Sequence, residues 1–196
     1  MPFALIGFFL GLISTGSIVP GGHNKTSSLQ FDKGTIGLKF LLVIICMITA
    51  RSAAMAFNRY LDRAIDAKNP RTAIREIPAG VISAKNALLF TILSCLLFVL
   101  AAWFINPICF FLSPAALAVI LGYSYTKRFT PLCHLVLGVG LSLAPIGAYL
   151  AVAGEFNILP LFFSFVVICW VSGFDIIYSL QDEEFDRSQQ LYSIPA

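Results

Sequence analysis

Six apolar runs dominate this chain, at residues 3–20, 36–57, 87–104, 107–123, 135–153 and 158–180. A helix of about 20 such residues crosses the hydrocarbon core of a bilayer. Each run therefore predicts a spanning helix, and the expected fold class is all-α, a polytopic transmembrane helical bundle. Composition agrees: of 196 residues, 58% are hydrophobic and 12% are charged, against about 25% charged in soluble domains. A soluble fold of this size could not cover so much apolar surface. Asn106-Pro107 and the Gly-Glu-Phe-Asn at 154–157 are short turns that imply tight helical hairpins. No Lys or Arg precedes the first run, so a cleaved secretory leader is not expected.

Charge is distributed unequally between the two sides of the expected bundle. Arg59, Arg63, Lys68, Arg71, Arg75 and Lys85 follow the second run, Lys127 and Arg128 the fourth, and Arg187 the sixth. The opposite side has Lys25, Lys33 and Lys39. Basic residues favour the cytoplasm, which places the richer side there and makes the expected location a multi-pass protein of the inner (plasma) membrane. The net charge of +3 is small and gives no reason to expect a nucleic-acid partner. Cys46, Cys95, Cys109, Cys133 and Cys169 have no metal or redox spacing and read as packing thiols. His23 and His134 are isolated in sequence, so no His-based metal site is expected.

The acids gather on the same side as the bases, in two motifs. In the first, Asn58, Asp62 and Asp66 are spaced four apart. At about 100° per residue they share an arc of roughly 80° on one helix face, and Arg51 falls in the same arc. Asn69-Pro70-Arg71-Thr72, Arg75 and Ile77-Pro78-Ala79-Gly80 continue the motif. In the second, Asp175, Tyr178, Asp182 and Asp186 share a similar arc if the sixth helix runs on. Ile194-Pro195-Ala196 after it echoes Ile77-Pro78-Ala79, as in an internal repeat. Magnesium takes hard oxygen ligands and binds through few carboxylates plus substrate phosphates. Two facing acidic stripes could therefore clamp a diphosphate through Mg2+, neutralising charge on a leaving group. Ordinary i,i+4 ion pairs to Arg59, Arg63 and Arg187 are the plainer explanation for either stripe alone. Lys127 and Arg128 close Tyr123-Ser124-Tyr125-Thr126, where cations can serve as topology signals or meet phosphate oxygens. Arg51 lies on the order of 10 Å deeper along its helix than Asn58, where a charge usually faces a functional cavity or a buried acid such as Asp175.

These motifs, Asn-x3-Asp-x3-Asp at 58–66 and Asp-x2-Tyr-x3-Asp-x3-Asp at 175–186, resemble those of the UbiA superfamily of intramembrane prenyltransferases. The likeness covers nearly the whole chain and is strongest at 58–80, 123–128 and 173–196. Within the superfamily the chain looks most like the 4-hydroxybenzoate polyprenyltransferases of quinone biosynthesis. Relatives acting on a dihydroxynaphthoate in menaquinone biosynthesis look similar. The resemblance implies a helical bundle whose cavity opens to membrane lipid, with two magnesium ions on the diphosphate of a polyprenyl donor. It implies Asn58, Asp62, Asp66, Asp182 and Asp186 as the metal set, with those four aspartates as the catalytic acids. It puts Lys127 and Arg128 on the diphosphate, Arg51 in the polar cavity, and Arg71, Tyr178 and Asp175 on the substrate side. The implied chemistry is electrophilic substitution, in which an allylic cation is attacked by the ring carbon ortho to a phenolic hydroxyl of an aromatic acid. Family members have about nine spans. Residues 1–196 are thus expected to form a single domain incomplete at both ends, inactive alone for want of enclosure.

Two rival classes compete with this reading. Alcohol phosphotransferases of phospholipid synthesis are also Asp-rich, but they use an Asp-x2-Asp-Gly start that is absent here. A transporter would be favoured by helices broken at mid-membrane, which Gly138, Gly140 and Pro145 permit. The acids, however, lie at the rim.

Overall fold

The computed structural model describes residues 2–17 and 33–195. Pro20, His23, Lys25 and Ala196 lie outside the described residues. Six helices follow the six apolar runs: α1 (Pro2–Ser14), α2 (Lys33–Asp66), α3 (Ala84–Ile105), α4 (Pro107–Thr126), α5 (Cys133–Ala153) and α6 (Ile158–Ser179). Five are long and apolar enough to cross a membrane, whereas α1 ends at Ser14 and is shorter than the expected run of 3–20. The chain is an integral membrane protein, and its outward surface shows why. Leu93, Leu97, Trp103 and Phe104 on α3 and Phe162, Phe165, Trp170 and Phe174 on α6 are all exposed, a surface that only lipid or another apolar partner can cover.

The helix ends are set by local chemistry. Asn106 serves both helices of the α3–α4 turn. Its Oδ1 accepts the Cys109 N–H at 2.8 Å, while its Nδ2 donates to the Leu150 carbonyl at 2.8 Å. Pro107 occupies the first turn of α4, where a missing N–H costs nothing. Gly154 closes α5 in the left-handed region at φ 69°, and Asn157 caps α6 by accepting the Leu159 N–H at 3.1 Å.

Close packing centres on α5, which meets α1, α4 and α6. Without a hydrophobic drive between helices in lipid, small residues that let backbones approach decide which helices pair. Gly7 and Gly11 on α1 do this against Pro145 and Val152 of α5. Gly138 does it against α6, where a Cβ would stand 2.4 Å from Ser172 Oγ. Around the first contact Ala4, Phe8, Leu12, Val43, Ala148 and Val152 form the apolar core.

One expectation about α6 is corrected. The helix does not run on regularly through Asp186. It tightens into a 3-10 turn at Leu180–Asp182, and a short helix, α7 (Glu183–Ser188), follows. At that turn Asp182 is held from outside the helix by Asn69 and Arg71, so the single straight stripe from Asp175 to Asp186 becomes two segments.

Candidate active site

The C-terminal end of α2, the α4–α5 loop and the segment after α6 meet at one end of the bundle. Periodicity puts Asn58 and Asp62 on the face of α2 that packs against α4. There Asn58 Nδ2 donates to Ser124 Oγ at 3.4 Å. Asp62 is 1% exposed. Its Oδ2 accepts from Lys127 Nζ at 2.5 Å, and Arg128 Nη2 stands 3.5 Å from its Oδ1 while donating to the Leu61 carbonyl at 3.0 Å. Oδ1 itself is buried with no hydrogen-bond partner. Without a hydrogen bond it keeps only the ion pair to Arg128, which leaves lone pairs for a cation.

One turn on, Asp66 receives Arg75 Nη1 on both carboxylate oxygens, at 2.9 and 3.0 Å. Its backbone carbonyl accepts from Thr72 Oγ1 at 3.1 Å, which folds the following loop back onto the helix end. Asn69 Oδ1 accepts the Arg71 N–H at 2.9 Å, a side-chain turn of the kind Asn makes readily. That turn aims Asn69 and Arg71 at α6. Asn69 Nδ2 donates to Asp182 Oδ1 at 3.1 Å, and Arg71 grips Asp182 with Nε at 2.9 Å and with Nη2. Arg71 Nη1 also donates to the Tyr178 hydroxyl at 3.1 Å. The hydrogen bonds to Asp182 raise the Arg71 pKa above its already high range, so this cation does not titrate. Asp186 sits beside Ser193, within electrostatic reach of Asp182, Lys127 and His134.

Except for Arg51, the expected residues thus lie at one end of the bundle, in ion pairs and hydrogen bonds and not as a bare acidic cluster. Among the described residues no three His, Cys, Asp or Glu side chains come close enough to hold a metal ion. Like charges repel, and each of Asp62, Asp66 and Asp182 takes a cation from a neighbouring segment instead. Arg51 is exposed on α2 and is not the partner of Asp175. That partner is His134, whose Nδ1 lies 2.7 Å from Asp175 Oδ2.

His134 is the residue that reading the sequence missed. Its signal was available: a lone His just ahead of the fifth apolar run can reach an Asp inside the sixth, and an acid in a membrane span is relieved by a partner. Asn69 and Arg75 were visible as motif residues, but nothing local indicated which acids they hold.

A model of the UbiA prenyltransferase family matches residues 26–196. A 4-hydroxybenzoate octaprenyltransferase of Tolumonas auensis is 32% identical over 154 residues, which is 78% of this chain and 54% of that protein. One from Serratia proteamaculans is 34% identical over 156 residues, 79% of this chain and 53% of that protein. The chain spans about half the length of the curated relatives it matches. Among solved structures, the apo UbiA homologue of Aeropyrum pernix K1 superposes with a TM-score of 0.80 at 31% identity, over 98% of this chain and 67% of that one. A UbiA homologue of Archaeoglobus fulgidus bound to GPP and Mg2+ shares the fold, with a TM-score of 0.67 at 21% identity over 99% of this chain and 65% of that one. With both acidic motifs inside the matched region, the chain belongs to the UbiA prenyltransferase family.

Proposed function

We propose that this chain carries the donor site of a magnesium-dependent enzyme that moves a polyprenyl group from its diphosphate to a 4-hydroxybenzoate-like aromatic acid. The reaction serves isoprenoid quinone synthesis at the cytoplasmic face of the inner membrane. The observation that carries this reading is the meeting of three distant segments, with Asp62 on Lys127 and Asp182 on Asn69 and Arg71. Relatives named for 4-hydroxybenzoate support the acceptor class.

The residues fit a magnesium ion. They are hard oxygen donors, and Asp62 Oδ1 is buried without a hydrogen bond. Asn58, Asp62, Asp66, Asp182 and Asp186 would hold it, one or two carboxylates per ion with the diphosphate supplying further oxygens. The bound metal supplies charge neutralisation on the leaving diphosphate. The chain's own cations do the rest at that end. Lys127, Arg128 and Arg71 exchange carboxylate oxygens for phosphate oxygens, Arg71 with a fork suited to both. As the diphosphate departs, the ring carbon ortho to the phenol attacks the allylic cation and the ring then loses its proton. The Tyr178 ring, whose centroid lies 5.4 Å from the Arg71 guanidinium carbon, offers π surface to that cation.

The test uses the full chain in membranes with a labelled polyprenyl diphosphate, 4-hydroxybenzoate, and either Mg2+ or a chelator. Donor binding that requires Mg2+ is expected, and a prenylated acid is the product to look for. Donor binding that is absent, or indifferent to the metal, would overturn the reading. Product with a dihydroxynaphthoate alone would reassign the acceptor.

A further inference from the structure

We infer that His134 is a positioning residue for the aromatic acceptor, acting through Asp175. The inference rests on the prenyltransferase reading and adds how the acceptor is held.

His134 is the second residue of α5, and its side chain is 4% exposed. Both ring nitrogens are engaged. Nε2 accepts the backbone N–H of Ile194 at 3.3 Å, and Nδ1 faces Asp175 Oδ2 at 2.7 Å. A nitrogen that accepts from an amide carries no proton, so the hydrogen-bond pattern assigns the neutral Nδ1–H tautomer, donating to the carboxylate. The ring is therefore no general base for a substrate, since neither nitrogen is free. Its backbone is fixed as well, with Ser172 Oγ donating to the His134 carbonyl at 3.2 Å.

Asp175 differs from its partner in exposure, with 34% of its side chain open. One oxygen is tied to a rigid donor, and the other projects from a carboxylate that a ligand can reach. Asp175 precedes Asp182 by seven residues, as Arg51 precedes Asn58 along α2. Arg51 lies on the order of 10 Å from Asn58 along that helix, and Asp175 lies on α6 beside the first turn of α5. A hydroxylated aromatic acid has one group for each: a carboxylate for exposed Arg51 and a phenolic hydroxyl for Asp175. A carboxylate held at one oxygen presents the other in a single direction, which is what orienting a ring carbon requires. The same ring reads the segment after α7. Ile194 N–H bonds His134, and two residues earlier the Tyr192 N–H donates to the Lys127 carbonyl at 2.8 Å. The acceptor acid and the diphosphate-side lysine thus share one backbone strap.

The test is binding of labelled 4-hydroxybenzoate to the full chain in detergent, for wild type, His134→Leu, His134→Asn and Asp175→Asn. His134→Leu and Asp175→Asn should weaken binding about 10-fold or more, the effect of losing a hydrogen bond to a charged group. The Asn variant places an amide N–H where Nδ1–H stood and should remain within about threefold of wild type. A merely structural histidine would not be rescued in this way. Leu equal to wild type, or Asn as weak as Asp175→Asn, would overturn the inference. So would a wild-type chain that binds donor but no aromatic acid. If His134→Leu does not fold, the Asn variant against Asp175→Asn still decides. Loss of Mg2+-dependent donor binding in the wild type would instead count against the proposed function.

Discussion

Lys127 Nζ lies 2.5 Å from Oδ2 of Asp62, an acid that is 1% exposed and 65 residues away in sequence. The pair joins the two halves of the donor site, and it makes the ammonium a competitor for the carboxylate that would ligate a metal. Lys127→Met should therefore lower the Mg2+ concentration that half-saturates donor binding by roughly fivefold, about 1 kcal/mol. The figure is kept small because Lys127 is 31% exposed and solvent screens the pair. Donor affinity at saturating Mg2+ should fall, since a phosphate ligand is gone. A magnesium titration of donor binding reads both effects, and an unmoved midpoint would remove Lys127 from the metal's neighbourhood.

Arg71 meets Asp182 with two nitrogens and Tyr178 with a third. Lysine keeps the charge and loses the fork. Arg71→Lys should weaken donor binding by about tenfold, in the range of a charge-assisted hydrogen bond, while Tyr178→Phe should cost about threefold or less. Equal affinities for wild type and Arg71→Lys would reduce Arg71 to a point charge.

Gly138 is where α5 and α6 touch. A Cβ there would stand 2.4 Å from Ser172 Oγ and 3.0 Å from the Ile168 carbonyl. Gly138→Ala should destabilise the protein by about 1–3 kcal/mol through overpacking. Gly122→Ala, with open space around its Cβ, should be near neutral. Thermal unfolding in detergent compares the two, and matching midpoints would mean that the α5–α6 contact is looser than described.

Orientation has its own check. Nine basic residues lie on one side against three on the other, so Lys68 and Arg128 should face the cytoplasm. In a background with the native cysteines replaced, an impermeant thiol reagent added to intact cells should miss Lys68→Cys and Arg128→Cys. Labelling of both would reverse the topology.

The sequence alone determined the helices and the stripes. Spans follow from the length and apolarity of each run, and Asn58, Asp62 and Asp66 share a face because helical periodicity is a local property. It could not determine partners. Arg51 and Asp175 are both charges inside apolar runs, and nothing in their spacing separates a direct pair from two independent groups. Tertiary packing made that choice. With no Cβ on Gly138, α6 closes on α5 at Ser172, and one turn before that glycine His134 reaches Asp175. The loop after Asp66 likewise carries no hint that Asn69 and Arg71 reach Asp182, 113 and 111 residues onward. Hydrogen-bond partners depend on distances between helices, and in a membrane those distances are set by which small residues meet.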